Sequence, residues 1–489
     1  MYRRAERKNE GVRFRNFAAG VSICAVVLSG CASEVPPGEF VGEGAAAGAA
    51  PVQNGGPTTG PGGSVDGGAV AAPSLSSAPT GGSGGGGGAV PGTTQGPNPQ
   101  ASPVGATTNF QPGSCAGFRN GTGITNSQII LGNAADRTGP VPGIFTAAQQ
   151  AVMAYAAYFN TTSTICGRKL KVIPYDSQTS STGDQQAAAS ACDDTFAMIG
   201  SMGAFDNGGA QTVTHCGIPD LRAITTTPER HSSPVSFGTE SVDTHLVSTV
   251  QYRLLKAQTG NAYLKSAMLY LNAGAAVPNA LSYKQAMERL GYKFLYTQPI
   301  DVAAFNYAPY AAQIKSLGVQ FVQFEGAYQY AVRLKRALSD QGINPVFVMD
   351  SVAYDPIFSQ AGDDLRGMYS YTDTSMFEEA SRSAELRLYL SWLQRVSPGA
   401  KPTFFGIYAW GAMRLFAQLA TQLGGALTRQ NLLQAIRGVH DYTANGLFAP
   451  QNIGSKRSPN CETLIQLTSS GWQRRSPYPY SCSDLIATR

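Results

Sequence analysis

Eight cysteines carry the most reactive chemistry in this chain of 489 residues. They are Cys24, Cys31, Cys115, Cys166, Cys192, Cys216, Cys461 and Cys482. A thiol serves as nucleophile, metal ligand, lipid acceptor or half of a disulfide. A nucleophile needs a neighbouring base, and none is placed for any of these thiols. Only four histidines are present; His215 and His231 read as surface or structural, and multi-ligand metal spacings are absent. One serine has hydrolase-like neighbours, Gly81-Gly82-Ser83-Gly84-Gly85. Nothing beside it reads as the strand and helix that would aim its hydroxyl. No nucleophile, base and orienter come together. The expectation is a protein without catalytic residues, metal or cofactor.

The first 30 residues explain two of the cysteines. A basic stretch leads into an apolar run, Phe17 to Leu28, of about 12 residues, too short to span a bilayer but suited to a signal-peptide core. It ends in Leu28-Ser29-Gly30-Cys31, which resembles the bacterial lipobox. Cys24 would leave with the signal (1–30), and Cys31 would carry lipid after cleavage. The competing reading is an ordinary secretory signal that contains a cysteine. Anchoring by several acyl chains is durable where one chain is marginal. The protein is expected outside the cytoplasmic membrane, held by lipid.

The formal net charge of +5 is concentrated at this end. Residues 1–30 hold six of the 36 basic and two of the 31 acidic side chains, which leaves 30 against 29. A chain so balanced has no field for a polyphosphate, so nucleic acid is not an expected partner. Residues 31–113 read as a Gly/Ala/Pro-rich disordered linker with a root-mean-square span of roughly 50 Å.

Six cysteines remain. An even number in an exported protein points to disulfides, and six allow 15 pairings. The sequence does not choose among them. The pairing taken is nearest neighbours: Cys115–Cys166, Cys192–Cys216 and Cys461–Cys482.

From Gln128 onward, strand and helix patterns alternate. QIILGNAA, KLKVIPYDS, FAMIGSMG and GIPDLRAIT read as strands, separated by Ala-rich helices such as Thr146–Asn160. The grammar restarts after Gly238 with SAMLYLNAG, KFLYTQPI, VQFVQFEG and NPVFVMDS. Helices are expected at Ser383–Val396, Phe404–Leu423 and Arg429–Gly438, then a hairpin turning at Ser470-Gly471. The fold class is α/β, with two doubly wound Rossmann-like lobes. Ligands collect at the C-terminal ends of such strands. The loops to watch are Asp136–Phe145, Ser201–Asn207, Ile224–Arg230, Leu271–Ala276, Gly326–Gln329 and Met349–Tyr354.

Four segments carry a resemblance. They are GITNSQIILGNAADRTGPVPGIFTAAQQAVMAYAAYFN, FAMIGSMGAFDNGGAQTVTHCGIPDLRAITTTPE, NYAPYAAQIKSLGVQFVQFEGAYQYAVRLKRALSDQG and FFGIYAWGAMRLFAQLA. In this order they resemble the type I periplasmic-binding fold, in particular the leucine/isoleucine/valine-binding (branched-chain amino acid) receptors of ABC importers. The resemblance covers about residues 115–489. It implies a three-crossing hinge, with crossings near Gly238, Gly367–Tyr371 and Asn445–Gly446. Lobe one would be 114–238 plus 370–444, and lobe two 239–369 plus 445–489.

The resemblance also implies a site. Ser201–Asn207 matches the family loop that holds a ligand carboxylate by backbone N–H groups and hydroxyls. Gly203 permits close approach, and the following helix N-terminus favours an anion. Gly203, Ala204 and Phe205 stand where the amino-acid receptors usually offer serines, so only backbone donors would remain. A plain turn between strand and helix is the alternative. Thr225, Thr226 and Thr227 fall on the next contact loop, with local capping before Pro228 as the alternative. Tyr328 matches an aromatic contact. Asp350 or Ser351 matches the acidic contact for a ligand ammonium. Ile144 and Phe145 would wall the first loop, or lie in the core. Tyr408 is a weaker candidate near the hinge.

The function this implies is a lipid-anchored, monomeric solute-binding protein of an ABC importer. It would capture a small solute, an amino acid by preference, through hinge closure and deliver it to a membrane permease. The rivals are a ligand-sensing ectodomain of the same fold, a hydrolase, and a wall-spacer lipoprotein that binds nothing.

Overall fold

The computed structural model describes residues 110–489. The signal peptide, Cys31 and nearly all of the linker lie outside the described residues. Within them, short apolar runs form central strands buried on both faces, the edge strands Lys169–Asp176 and Phe294–Ile300 expose several residues each, and the intervening periodic segments form helices. The first half runs β1 (Gln128–Ala135), α1 (Thr146–Thr162), β2 (Lys169–Asp176), α2 (Ser181–Asp194), β3 (Ala197–Ile199), α3 (Ala210–Cys216), β4 (Asp220–Thr225), α4 (Pro228–Ser232) and β5 (Ser236–Ser241). These five strands make a parallel sheet in the order β2-β1-β3-β4-β5.

The second half runs β6 (Leu246–Val247), α5 (Val250–Gln258), β7 (Ser266–Leu271), α6 (Ala276–Arg289), β8 (Phe294–Ile300), α7 (Ala308–Ser316), β9 (Phe321–Glu325), α8 (Tyr328–Asp340), β10 (Val346–Met349), α9 (Pro356–Ser359) and β11 (Tyr369–Thr372). Then come α10 (Ala384–Val396), α11 (Phe404–Leu423), α12 (Arg429–Arg437), β12 (Cys461–Thr468), β13 (Gly471–Arg474), β14 (Ser481–Cys482) and β15 (Ile486–Ala487). The second sheet has the order β13-β12-β11-β10-β9-β7-β8. It is parallel from β11 to β8, and β12 and β13 are antiparallel. Among the described residues β6 pairs only with β15.

Strand pairing moves the crossings from where the sequence suggested. Thr225 pairs with Ser241, so β5 stays in the first sheet three residues past Gly238. Tyr369–Thr372 pairs with β12 in the second sheet, so residues 370–372 belong with lobe two. The second and third crossings run side by side, joined by the Thr374–Phe448 bridge and by Ala449 N–H donating to the Asp373 carbonyl at 2.6 Å. The final hairpin turns one residue earlier than expected, because Thr468 pairs with Gly471 across Ser469-Ser470.

The long helix α11 returns to the first lobe and is buried on nearly all sides. Thr403 caps it by accepting from Gly406 N–H at 3.3 Å. Trp410 lies fully buried among Tyr155, Tyr158 and Tyr389. Its indole N–H donates to Glu385 at 2.8 Å, which answers the polar end of a buried tryptophan.

The three disulfides are the nearest-neighbour pairs: Cys115–Cys166, Cys192–Cys216 and Cys461–Cys482. Cys192–Cys216 ties α2 to α3 around β3, across a sequence separation of 24. By chain entropy a loop of that length contributes about 3 kcal/mol. Replacing both cysteines with alanine is expected to lower the thermal midpoint by roughly 5–10 °C. An unchanged midpoint in a scan of the double variant would count against the entropic estimate.

Candidate functional site

The C-terminal edge of the first sheet is built on two buried aspartates. Asp136 follows β1 and is 1% exposed. Its Oδ1 accepts from Ser177 Oγ at 2.5 Å and Thr179 N–H at 3.1 Å, and its Oδ2 accepts from Ala204 N–H at 2.8 Å. Burial raises this carboxyl above its ordinary pKa, against the pull of those three bonds and of the Arg222 charge. Asp206 holds the next loop by hydrogen bonds. Its Oδ1 accepts from Thr227 N–H at 3.0 Å and Thr227 Oγ at 2.5 Å, and its Oδ2 accepts from Thr226 N–H at 3.0 Å. Thr226 Oγ donates to the Gly203 carbonyl at 2.6 Å.

These bonds change the expected site. The Ala204 N–H, cast as a donor to a ligand carboxylate, is spent on the chain's own Asp136. The donors of Thr226 and Thr227 are spent on Asp206 and Gly203. A Cβ at Gly203 would lie 3.6 Å from Asp136 Oδ1 and 3.9 Å from Arg222 Nη2, so the loop sits directly against that carboxylate. Thr225 and Ser241, paired across β4 and β5, keep hydroxyls with no partner among the described residues.

Beneath this edge lies a buried ionic network. Arg230 pairs with Asp184 at 2.6 Å and Asp220 at 3.1 Å, and donates to the Asp206 carbonyl at 2.8 Å. Arg222 lies 3.4 Å from Asp206 and 3.5 Å from Asp220. The network fixes the loops after β3 and β4 to the body of the lobe.

The facing edge of the second sheet presents carboxylates. Glu325 ends β9, Asp350 follows β10, Asp373 follows β11 and Glu462 lies near the start of antiparallel β12. Glu240, from the end of β5, joins them. All five are buried, and no ion pair among the described residues involves any of them. Burial is the main reason that every one is pushed above its ordinary pKa. Asp350 and Asp373 rise to about 6 and Glu462 to about 8. Glu325 lies highest of the neighbouring Glu325–Asp350 pair: burial and the adjacent carboxyl keep its proton on. Two amides serve the row. Gln323 donates to Glu325 at 2.7 Å, and Gln451 donates to Asp373 Oδ2 at 2.6 Å.

The other expected contacts divide. Asp350 and Ser351 stand at the edge as anticipated, both buried. Tyr328 opens α8 half-buried, with its ring edge-on to Phe358 at 5.2 Å. Tyr408 is fully buried and stacked on Phe448 at 4.9 Å, and its hydroxyl reaches Asp373. Phe145 packs into the lobe-one core against Phe405 at 4.7 Å, so it is no free wall of the loop. Ile144 is half-buried beside it. Phe205 lies half-buried against the Gly274 turn.

The two edges meet. Ala275 N–H, from the turn after β7, donates to the Ala204 carbonyl at 3.2 Å. Gly274 has φ +52, and a Cβ there would stand 2.7 Å from the same oxygen. Both the left-handed backbone and the close approach require glycine. Two open depressions of about 450 and 540 Å³ lie elsewhere in the second half, around Val319, Pro345 and Tyr263. The first adjoins the N-terminal ends of β9 and β10, the edge opposite the carboxylates.

Sequence reasoning missed Asp136, Asp206, Arg222, Glu240, Glu325, Asp373 and Glu462. Glu325 carried a signal, an acid ending the apolar run VQFVQFEG. Asp136 and Asp206 lay inside loops marked at the strand ends, although no role was assigned to either; the rest carried no local signal, because their partners lie on strands distant in sequence.

The profile of the periplasmic binding proteins matches residues 128–468. The chain belongs to the periplasmic binding protein family. A curated relative, a Leu/Ile/Val-binding protein homolog of Brucella abortus, is 22% identical over 142 residues, 29% of this chain. That alignment spans 37% of the relative's own length. Among solved structures, the fatty acid ABC transporter substrate-binding protein of Thermomonospora curvata superposes with a TM-score of 0.64 at 16% identity, covering 75% of this chain and 95% of that one. The branched-chain amino acid binding protein LivJ of Streptococcus pneumoniae, in complex with isoleucine, gives 0.61 at 13%, covering 73% and 100%. A solute-binding protein of R. palustris in complex with 4-hydroxybenzoate gives 0.60 at 15%, covering 74% and 97%. These likenesses establish the two-lobed type I fold. Their ligands differ in chemistry, so the fold does not choose among them.

Proposed function

We propose that the chain is an extracytoplasmic solute-binding protein of an ABC importer, anchored by lipid on Cys31. It captures a small polar solute, an amino acid or a related compound, between its lobes and passes it to a membrane permease as a monomer. The contact of Ala275 with Ala204 carries this reading, because it joins the two strand edges where ligands of open α/β sheets collect. The proposed lining of the cleft is Gly203–Phe205, Thr225–Thr227, Tyr328 and Asp350–Ser351, with Tyr408 buried behind it on α11. Hinge closure excludes water and adds contacts from lobe two.

The test is a thermal-shift titration of the full chain with amino acids, amides, amines and aromatic acids. A solute at 100 times its dissociation constant adds about 2.7 kcal/mol, a rise of roughly 5–10 °C. Gly274→Val, which obstructs closure, is expected to weaken the responding solute at least tenfold; valine on the left-handed backbone at this position also lowers the unliganded midpoint by several degrees, so affinity is read from the titration and not from the unliganded midpoint. Silence across the panel would favour the non-binding spacer. For the anchor, Cys31→Ala is expected to abolish labelling by radioactive palmitate and move the protein from the membrane fraction to the soluble one.

A further inference from the structure

The second-sheet edge of the cleft is rich in unmet acceptors; on the first-sheet side the unmet donors are Arg222 Nη1 and Nη2, buried beneath the Gly203 loop and held beside Asp206 and Asp220. Glu240 Oε2, Asp350 Oδ1 and Asp373 Oδ1 are buried without partners. The amides at either end of the row add a second observation. Gln323 is 0% and Gln451 1% exposed. Gln323 donates to Glu325, and Gln451 to Asp373 and the Ala449 carbonyl; each is left with an unmet amide oxygen that does not titrate. Buried polar atoms are almost always paired, so unmet acceptors at a ligand-binding edge call for a donor from outside the chain. Across the cleft, the N–H of Ala204 is already taken by Asp136, and the loop donors of Thr226 and Thr227 by Asp206 and Gly203. A ligand carboxylate would have to displace a hydrogen-bonded aspartate and then face a row of acids.

We propose that the solute is an organic cation without a carboxylate, a diamine or polyamine, with one ammonium taken by Glu325, Asp350 and the Gln323 carbonyl, and another by Asp373 and the Gln451 carbonyl. Glu325 and Asp373 stand two strands apart, about 10 Å. A chain of four or five methylenes covers that span with a hydrogen bond at each end. Ammonium groups are all donor, which is what these oxygens lack. The groups facing the row are Glu240, Glu462 and the hydroxyls of Tyr252, Tyr283, Tyr371, Tyr408 and Tyr480, with no lysine, arginine or histidine among the main influences on it.

This inference rests on the solute-binding reading and narrows it. The full chain is titrated calorimetrically at pH 8 with 1,5-diaminopentane, spermidine, isoleucine and benzoate. Each run is repeated in two buffers of different ionisation enthalpy. The expected result is saturable binding of an amine with proton release from the carboxyl row, and no binding of isoleucine or benzoate. Glu325→Gln and Asp373→Asn should each weaken the amine at least tenfold, with circular dichroism unchanged. If either variant unfolds, the wild-type proton release still decides. Binding of isoleucine or benzoate with the amines silent overturns the inference and leaves the solute-binding function standing. Amine binding that releases no proton and is indifferent to both variants also overturns it. Silence of all four probes overturns it as well, and the wider panel then judges the function itself.

Discussion

The unfolding midpoint is expected to fall as pH rises from 4 to 8. The carboxyls of Glu240, Glu325, Asp350, Asp373 and Glu462 all have folded-state pKa values above those of the unfolded chain. Below about 4 they are protonated in both states, and their contribution is intact. As pH rises, the unfolded chain gives up its protons first, so stability is lost until the folded values are passed. Asp350 and Asp373 move from 3.8 to about 6, on the order of 3 kcal/mol each. Glu462 moves from 4.5 to about 8, on the order of 5 kcal/mol. The groups share one site and their losses are not additive. A net fall of several kcal/mol is expected, a drop of the order of 10 °C. His231, kept neutral chiefly by burial, acts in the opposite sense at the acid end. Scans in one buffer series at fixed salt check this. Glu462→Gln should flatten the profile above pH 6. A wild-type midpoint that is level or climbs between pH 4 and 8 would refute the account.

Arg230→Met is expected to be the most damaging single substitution in lobe one. Arg230 is fully buried, holds Asp184 and Asp220, and closes on the carbonyl of Asp206. Methionine fills part of the volume but leaves two buried aspartates with reduced compensation. Removing one partner of a buried ion network costs about 3–5 kcal/mol. The cost falls on the loop that carries Thr226 and Thr227, because Asp206 orients both. A midpoint lower by roughly 10 °C is expected. Asp184→Leu added to Arg230→Met should recover part of the loss, since one stranded charge then disappears. A loss below about 1 kcal/mol for the single variant would mean that Arg222 suffices for all three aspartates.

Much of the architecture is local and therefore legible. Thr146 opens a helix and Phe404–Leu423 is one because apolar side chains recur at helical spacing. The β-strands of both sheets declare themselves as short apolar runs between glycines and polar turns. The disulfide pairing was not legible: the sequence left 15 possibilities open, and the fold brings the nearest neighbours together. The crossings were less legible. Whether Tyr369–Thr372 ends one lobe or begins the other depends on its pairing with β12, about 90 residues later.

By itself, the sequence determined the α/β alternation, the order of the elements, the neutrality of the folded part and the loops at the strand ends, including Asp350. Periodicity and composition encode these within a few residues of each position. Only the tertiary structure decided what those loops offer. It brought Asp136 onto the Ala204 N–H, 68 residues away. It also set Glu240, Glu325, Asp350, Asp373 and Glu462 in one buried, donor-poor edge. The reason is physical: a hydrogen bond or a raised carboxyl depends on which strands lie side by side and on how much water they exclude, and neither is a property of any single segment.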